Sequence, residues 1–164
     1  MRKIFWMMAL ILCGVAISCD DDYNPSQSLN TAFHAQYPDA RDVEWERKGK
    51  HVVAEFKLPG VSNDCDAWYL RKTGEWVLTD FEISFSALPE AVQTAFHGEY
   101  GELAPVDSVN HIDRNGKSDV FVIETEAVVN GFLADICVEY SEDGTKIRTN
   151  VDYEFFDYID YYLD

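Results

Sequence analysis

The chain has 164 residues, of which 30 are Asp or Glu and 13 are Lys or Arg, so its formal net charge is −17. A surface this acidic repels phosphate backbones and anionic headgroups, so we predict that nucleic acid is not a partner. The length suits a single domain that buries a substantial core.

The N-terminus has the form of a secretory signal. A positively charged start precedes an apolar run over residues 4–17, which is shorter than the roughly 20 residues of a membrane-spanning helix. The sequence Ala-Ile-Ser-Cys at 16–19 resembles a lipobox, where a signal peptidase cuts before a cysteine that becomes lipidated. We therefore predict a signal peptide over 1–18 and attachment to a membrane through a lipid on Cys19. The alternatives are a transmembrane anchor and an ordinary cleaved signal.

The cysteines that remain after such processing are Cys65 and Cys137. An exported protein lies in a compartment that permits disulfides, so these two form a candidate disulfide. The alternative is a pair of buried thiols. Two cysteines without nearby histidines do not predict a zinc site.

The chain repeats part of its own pattern, which indicates an internal duplication. The segment 32–37 (AFHAQY) recurs as 95–100 (AFHGEY), and the glycine turns at 49 and 74 recur in the same order at 116 and 144.

Each copy opens with apolar residues at helical spacing and continues with residues typical of strands. The helical sets are Leu29, Phe33 and Tyr37 in the first copy and Val92, Phe96 and Tyr100 in the second. The predicted fold class is α+β, with two tandem repeats of one helix and a four-stranded antiparallel meander, and with both helices on one face of a curved sheet. The predicted boundaries are a lipidated acidic tether over 19–27, repeats over 28–87 and 88–153, and an acidic aromatic tail over 154–164.

Several segments resemble a known family. The runs 32–40 (AFHAQYPDA), 43–46 (VEWE), 54–56 (AEF) and 88–92 (LPEAV) are similar to those of the PepSY-like family of secreted or lipid-anchored Bacteroidetes proteins. The resemblance implies the fold of the β-lactamase inhibitor protein, and it carries no catalytic signature. The three aspartates after Cys19 also resemble the export signal of surface lipoproteins in these bacteria, or they form a solvated spacer.

Motifs for catalysis and metal binding are missing from the sequence. No H-E-x-x-H pair, G-x-S-x-G elbow or glycine-rich phosphate loop is present. Residues 113–119 superficially resemble a calcium loop, but Asn115-Gly116 between two strand patterns predicts a hairpin. We therefore predict no catalytic residue, no metal, no cofactor and no enzymatic activity.

Binding residues are predicted on the sheet face without helices. If Trp68 points to the helices, then Tyr69 and Arg71 point outward, and the repeat pattern adds Glu139. The tail is predicted to form a short helix that closes the domain or an exposed segment for a partner.

These features predict a non-enzymatic binding module tethered to a membrane, with a protein or peptide partner and an inhibitor-like role. The alternative is a structural or small-ligand-binding envelope lipoprotein, for a glycan or a peptide, with Trp45, Trp68 or Trp76 in an exposed groove. The expected location is the cell envelope, at the outer membrane, on its periplasmic or surface side.

Overall fold

A computed structural model describes residues 23–61, 63–151 and 162–163. The predicted signal peptide and Cys19 lie outside the described residues, as do residues 20–22 of the tether and all of the tail except residues 162–163. In the part that is described, no helix is both long and apolar enough to cross a membrane.

Apart from Tyr162 and Leu163 near the end of the chain, which are also helical, the domain within the described residues is built from two short helices and eight strands. In chain order they are α1 (Gln27–Gln36), β1 (Arg41–Lys48), β2 (His51–Lys57), β3 (Cys65–Leu70), β4 (Trp76–Glu82), a 3₁₀ turn (Phe85–Ala87), α2 (Glu90–Tyr100), β5 (Ser108–Arg114), β6 (Val120–Val129), β7 (Phe132–Ser141) and β8 (Lys146–Val151).

Helix α1 begins and ends where the sequence signals lie. The Ser26 hydroxyl caps it by accepting a hydrogen bond from the Leu29 amide at 3.2 Å. The helix ends before Pro38, which cannot continue it. Leu29 and Phe33, four residues apart, form the buried stripe that packs on the sheet.

The predicted fold class is wrong. All eight strands form one continuous antiparallel sheet in the order β1 to β8, and the helices contribute only 10 and 11 residues, so the protein is mainly a β-sheet protein and not two tandem helix-plus-meander units. Strand β4 pairs with β5 from Leu78–Arg114 to Glu82–Asn110. The physical reason is that two separate meanders would leave β4 and β5 as edges with unpaired backbone groups, and their pairing removes both edges.

The two helices cover the same face of the sheet, and each covers its own apolar cluster. The α1 cluster consists of Leu29, Phe33, Tyr37, Val52, Ala54, Phe56, Cys65, Ala67 and Tyr69. The α2 cluster consists of Leu88, Val92, Phe96, Val109, Phe121, Ile123, Ile136, Val138 and Tyr140. These clusters hold the helices on the sheet.

Gly144, in the turn between β7 and β8, packs directly on α2. Its φ is +80°, and a Cβ added there would lie 2.5 Å from the Ala91 carbonyl oxygen. Because a backbone atom blocks that space, we expect Gly144→Ala to lower the free energy of unfolding by about 2–3 kcal/mol, measured by urea denaturation.

Gly116 provides the matched control, because it has a φ of +65° and nothing lies within 4 Å of its added Cβ. Gly116→Ala should therefore cost only the backbone strain, about 1 kcal/mol. Equal losses in the two variants would contradict the close contact between the Gly144 turn and α2.

Candidate functional site

The second face of the sheet carries neither α1 nor α2, and for that reason we call it the helix-free face. Side chains alternate between the two faces of a strand, and directly opposite residues share a face, so the strand register defines its members. On this face lie Glu44, Glu46, Val53, Glu55, Asp66, Trp68, Leu78, Asp80, Ile112, Val120, Val122, Cys137, Glu139 and Arg148.

The three predicted binding residues lie in different places. Tyr69 is on the helix-covered face, only 1% exposed within the α1 cluster, so its prediction as an outward binding residue is wrong. Arg71 is exposed in the turn after β3. Glu139 is on the helix-free face but is 2% exposed, and its carboxylate accepts a hydrogen bond from Arg148 Nε at 2.6 Å.

The candidate disulfide between Cys65 and Cys137 is also wrong. Cys65 lies on β3 and Cys137 on β7, so four strand spacings place them roughly 19 Å apart. A disulfide needs Cα atoms within about 7 Å of each other. Both side chains are buried, and burial raises the pKa of the Cys65 thiol to about 12 and that of Cys137 to about 11, which disfavours the reactive thiolates.

The middle of the helix-free face is apolar and is covered by two residues of the C-terminal tail. We call it the central patch: Val53, Trp68, Leu78, Ile112, Val120, Val122 and Cys137. Tyr162 and Leu163 pack on it and are only 7% and 8% exposed. The guanidinium carbons of Arg114 and Arg148 lie 5.4 and 5.6 Å from the centre of the Tyr162 ring, within the range of cation–π contacts.

Basic residues gather beside this contact. A cavity of about 350 Å³ opens next to Tyr162 and Leu163, and its wall includes Lys50, Arg114 and Lys117. These three cations outnumber the one carboxylate among the described residues of the wall, Glu75, so the cavity is locally positive in a chain with a net charge of −17.

One buried polar atom of the central patch has no hydrogen-bond partner. The Trp68 side chain is 6% exposed, and its indole Nε1 meets no acceptor. Buried donors are almost always paired, because leaving one unpaired is costly. The patch therefore contains an unused hydrogen-bond donor.

Next to the central patch, four carboxylates face one another across four strands. Glu44, Glu55, Asp66 and Asp80 are directly opposite in β1, β2, β3 and β4, and we call them the acidic row. Like charges directly opposite one another destabilise a sheet. The row therefore concentrates negative charge at a cost to stability.

Burial changes the protonation of the two aspartates of the row, on β3 and β4. It raises the pKa of Asp80 to about 7, although the Asn110 amide opposes this by donating to both carboxylate oxygens at 3.1 and 3.2 Å. Burial also raises the pKa of Asp66 to about 6, while Lys48 lowers it. These two groups change charge near neutral pH.

A third feature is the apolar end of the β6–β7 hairpin, which we call the hairpin tip: Val128, Val129, Phe132 and Leu133. Val128, Phe132 and Leu133 are 70%, 77% and 66% exposed. The turn Asn130-Gly131 has positive φ at both residues, 54° and 87°, as a tight two-residue hairpin requires. Large apolar side chains that are grouped and exposed mark interaction sites.

The histidines and acids do not form a metal site in the described ranges. No group of three or more His, Cys, Asp or Glu side chains is arranged to hold a metal ion there. His111 Nε2 lies 2.8 Å from Asp119 Oδ2, and the imidazole is stacked with the Phe81 and Phe121 rings, with centroids 5.6 and 4.8 Å away. This pair is part of the packing between β4, β5 and β6.

Sequence reasoning missed the acidic row and the hairpin tip. The acids of the row are spread over the 37 residues from Glu44 to Asp80, and only the strand register brings them together. The sequence of residues 128–133 (VVNGFL) did contain a signal for the tip. Two apolar residues precede the Asn-Gly turn and two follow it, so both faces of the hairpin are apolar there.

Comparison with known proteins identifies the relatives of this fold. The model of a family described as beta-lactamase-inhibitor-like and PepSY-like matches residues 60–148. The chain belongs to the PepSY-like family. The resemblance found in the sequence is thereby confirmed. No curated protein matches the chain.

Several solved structures share the architecture. A protein described as BLIP-like from Bacteroides fragilis is 28% identical, with a TM-score of 0.69 over 80% of this chain and 89% of that chain. A DUF2874 family protein from Bacteroides ovatus is 22% identical, with a TM-score of 0.68 over 79% of this chain and 89% of that one. A Bacteroides eggerthii protein described as periplasmic is 21% identical, with a TM-score of 0.66 and the same two coverages. The last two likenesses show the fold alone.

Proposed function

We propose that this PepSY-like protein is a non-enzymatic, inhibitor-like binding domain of the cell envelope that holds a protein partner with its hairpin tip and helix-free face. The observation that carries the proposal is the hairpin tip, where three large apolar side chains are between two-thirds and four-fifths exposed. A rigid two-residue turn presents them, so little conformational freedom is lost on binding.

The family supports a role without catalysis, because the matching model is described as beta-lactamase-inhibitor-like. The location is supported by one structural neighbour described as periplasmic. We extend the proposal to a signal peptide over 1–18 and a lipid on Cys19, supported by the charged start, the apolar run and the lipobox-like 16–19. The tether would keep the domain near a partner in the same membrane.

The small-ligand alternative has less support from the tryptophans. Trp45 packs on the rings of Phe33 and Tyr69, with centroids 5.5 and 5.8 Å away, and Trp68 is buried. Trp76 lines the cavity beside the tail and donates its indole N–H to Thr79 Oγ1 at 2.9 Å. Neither Trp45 nor Trp68 offers the open aromatic groove expected of a glycan site.

The hairpin tip is tested by Phe132→Ser combined with Leu133→Ser. The chain from residue 20 onward, immobilised through its N-terminus, should capture a saturable protein partner from detergent-solubilised envelope. After identification by mass spectrometry and purification, that partner should bind the double variant at least about tenfold more weakly by calorimetry. Because both side chains are exposed, the stability of the variant should change by less than about 0.5 kcal/mol per substitution.

Leu103→Ser is the matched control, because Leu103 is 97% exposed and lies outside the hairpin tip. Its affinity should equal that of the wild type. The proposal fails if the two variants bind equally or if no saturable protein is captured. Sedimentation with protein-free lipid vesicles that requires Phe132 and Leu133 would instead assign the tip to the bilayer.

A further inference from the structure

The central patch differs from the other two apolar clusters because two residues near the end of the chain cover it instead of α1 or α2. The α1 and α2 clusters contain neither Tyr162 nor Leu163. Removal of these two residues from the central patch would therefore leave both helix-side clusters intact. It would expose a contiguous apolar surface on the helix-free face, which is the hallmark of an interface.

The residues around the central patch select the chemistry of its occupant. Arg114 and Arg148 lie within cation–π distance of one tyrosine ring, and the neighbouring cavity adds Lys50 and Lys117. Glu139 pairs with Arg148 and Glu75 lies in the cavity wall, so the four cations outnumber these two carboxylates and the region attracts negative charge next to an aromatic ring. Tyr162 and Leu163 belong to an acidic, aromatic segment, residues 152–164 (DYEFFDYIDYYLD), so the chain's own occupant has the chemistry that the site favours.

Tyr162 and Leu163 do not satisfy every hydrogen-bonding group of the central patch. The buried Trp68 Nε1 donor has no acceptor while these two residues are in place. A segment that covered the same surface and offered a carbonyl or carboxylate oxygen to this donor would gain a hydrogen bond that the chain's own residues do not make. An external segment can therefore compete with them.

We propose that the central patch is a binding site for an acidic, aromatic segment of a partner protein, and that Tyr162 and Leu163 of this chain occupy it until such a segment displaces them. The inference rests on the proposed binding function and names the chemistry of the partner. It adds a second contact region to the hairpin tip, of which Val128 and Leu133 lie on the same helix-free face.

A fluorescein-labelled peptide with the sequence of residues 152–164 is the probe, measured by fluorescence anisotropy. The wild-type chain from residue 20 onward should bind it weakly, because its own tail residues compete. Tyr162→Ala combined with Leu163→Ala in the protein should bind the peptide at least about tenfold more tightly, since the site is then free for a larger fraction of the time. Saturable binding confined to this variant supports the proposal.

Two further substitutions in that background locate the site. Arg114→Gln should weaken peptide binding at least about fivefold, because it removes one cation from the aromatic contact. Arg41→Gln, a matched loss of charge at an exposed position of β1, should not change the affinity. Equal binding by the wild type and the double variant, or no binding by a double variant with a native circular-dichroism spectrum, would overturn the proposal.

A second measurement uses the unmodified chain and does not depend on the folding of a variant. In ¹⁵N-labelled wild-type protein, excess unlabelled peptide should shift the amide signals of Tyr162 and Leu163, while Phe33 in the α1 cluster stays unchanged. Signals of Tyr162 and Leu163 that do not move at saturating peptide would make these residues a permanent part of the core. The pull-down through Phe132 and Leu133 is independent of this outcome, so failure of either proposal can be recognised separately.

Discussion

Replacement of Phe33 with alanine is expected to lower the free energy of unfolding by about 3–5 kcal/mol. Phe33 is fully buried at the centre of the α1 cluster. Its ring centroid lies 5.4, 5.5 and 5.0 Å from those of Tyr37, Trp45 and Phe56. The substitution removes these contacts and leaves a cavity that the sheet beneath α1 cannot fill.

The expected loss is measured by urea denaturation at constant pH, with circular dichroism as the signal. Leu103→Ala is the control, since Leu103 is almost fully exposed and its truncation should change stability by less than about 0.5 kcal/mol. A loss below about 1.5 kcal/mol for Phe33→Ala would mean that α1 rearranges to fill the space, and that the helix-side cluster is less rigid than its packing indicates.

Helix positions and turns could be predicted from the sequence because the signals for them are local. The four-residue spacings Leu29–Phe33 and Val92–Phe96 mark helix faces that are buried in the structure. The glycines at 74 and 116 have positive φ in the hairpin turns where the sequence predicts them. Each of these features depends on residues within one turn or one helix, so no knowledge of distant partners is needed.

The faces of the strands could not be predicted so readily. Strand β3 has the sequence CDAWYL, with a large aromatic residue on each face. Trp68 is buried by the central patch and Tyr69 by α1, so hydrophobic alternation does not distinguish the two faces. The assumption that Trp68 faces the helices assigns every side chain of β3 to the wrong face. Successive side chains of a strand point to opposite faces, so a wrong face for one residue means a wrong face for all of them. That assumption produced the wrong prediction for Tyr69.

The pairing of β4 with β5, which joins the two halves of the sheet, also could not be predicted from local sequence. The repeated turns predict where strands begin and end, but no residue pattern within β4 or β5 predicts that these two strands pair with each other. The acidic row has the same origin, because Glu44, Glu55, Asp66 and Asp80 become neighbours only through three registers. The candidate site is therefore largely a product of tertiary structure.

The second large effect is expected in the pH dependence of stability and depends on Asp80. Burial raises the pKa of Asp80 from 3.8 to about 7, so between these values the folded protein holds a proton that the unfolded chain has released. A raised pKa in the folded state means that the contribution of Asp80 to stability is greatest at low pH and is lost as the pH rises toward 7. We expect the contribution of Asp80 to fall by about 3–4 kcal/mol between pH 4 and pH 8.

Asp80→Asn should remove most of this dependence. The asparagine oxygen can still accept a hydrogen bond from the Asn110 amide, and the side chain carries no charge at any pH. Urea denaturation from pH 4.5 to pH 8 should give a flatter profile than the wild type and a higher stability at pH 8. Asp107→Asn, at an exposed position, should leave the wild-type slope unchanged.

The result also bears on why four acids are placed opposite one another. A stabilising Asp80→Asn at pH 8 would show that the acidic row lowers stability where it is charged, as expected of a surface whose charge serves recognition more than folding. The remaining slope should come mainly from Asp66, whose pKa burial raises to about 6. An unchanged slope in Asp80→Asn would mean that water reaches this carboxylate, and the acidic row would then be an ordinary solvated part of the sheet.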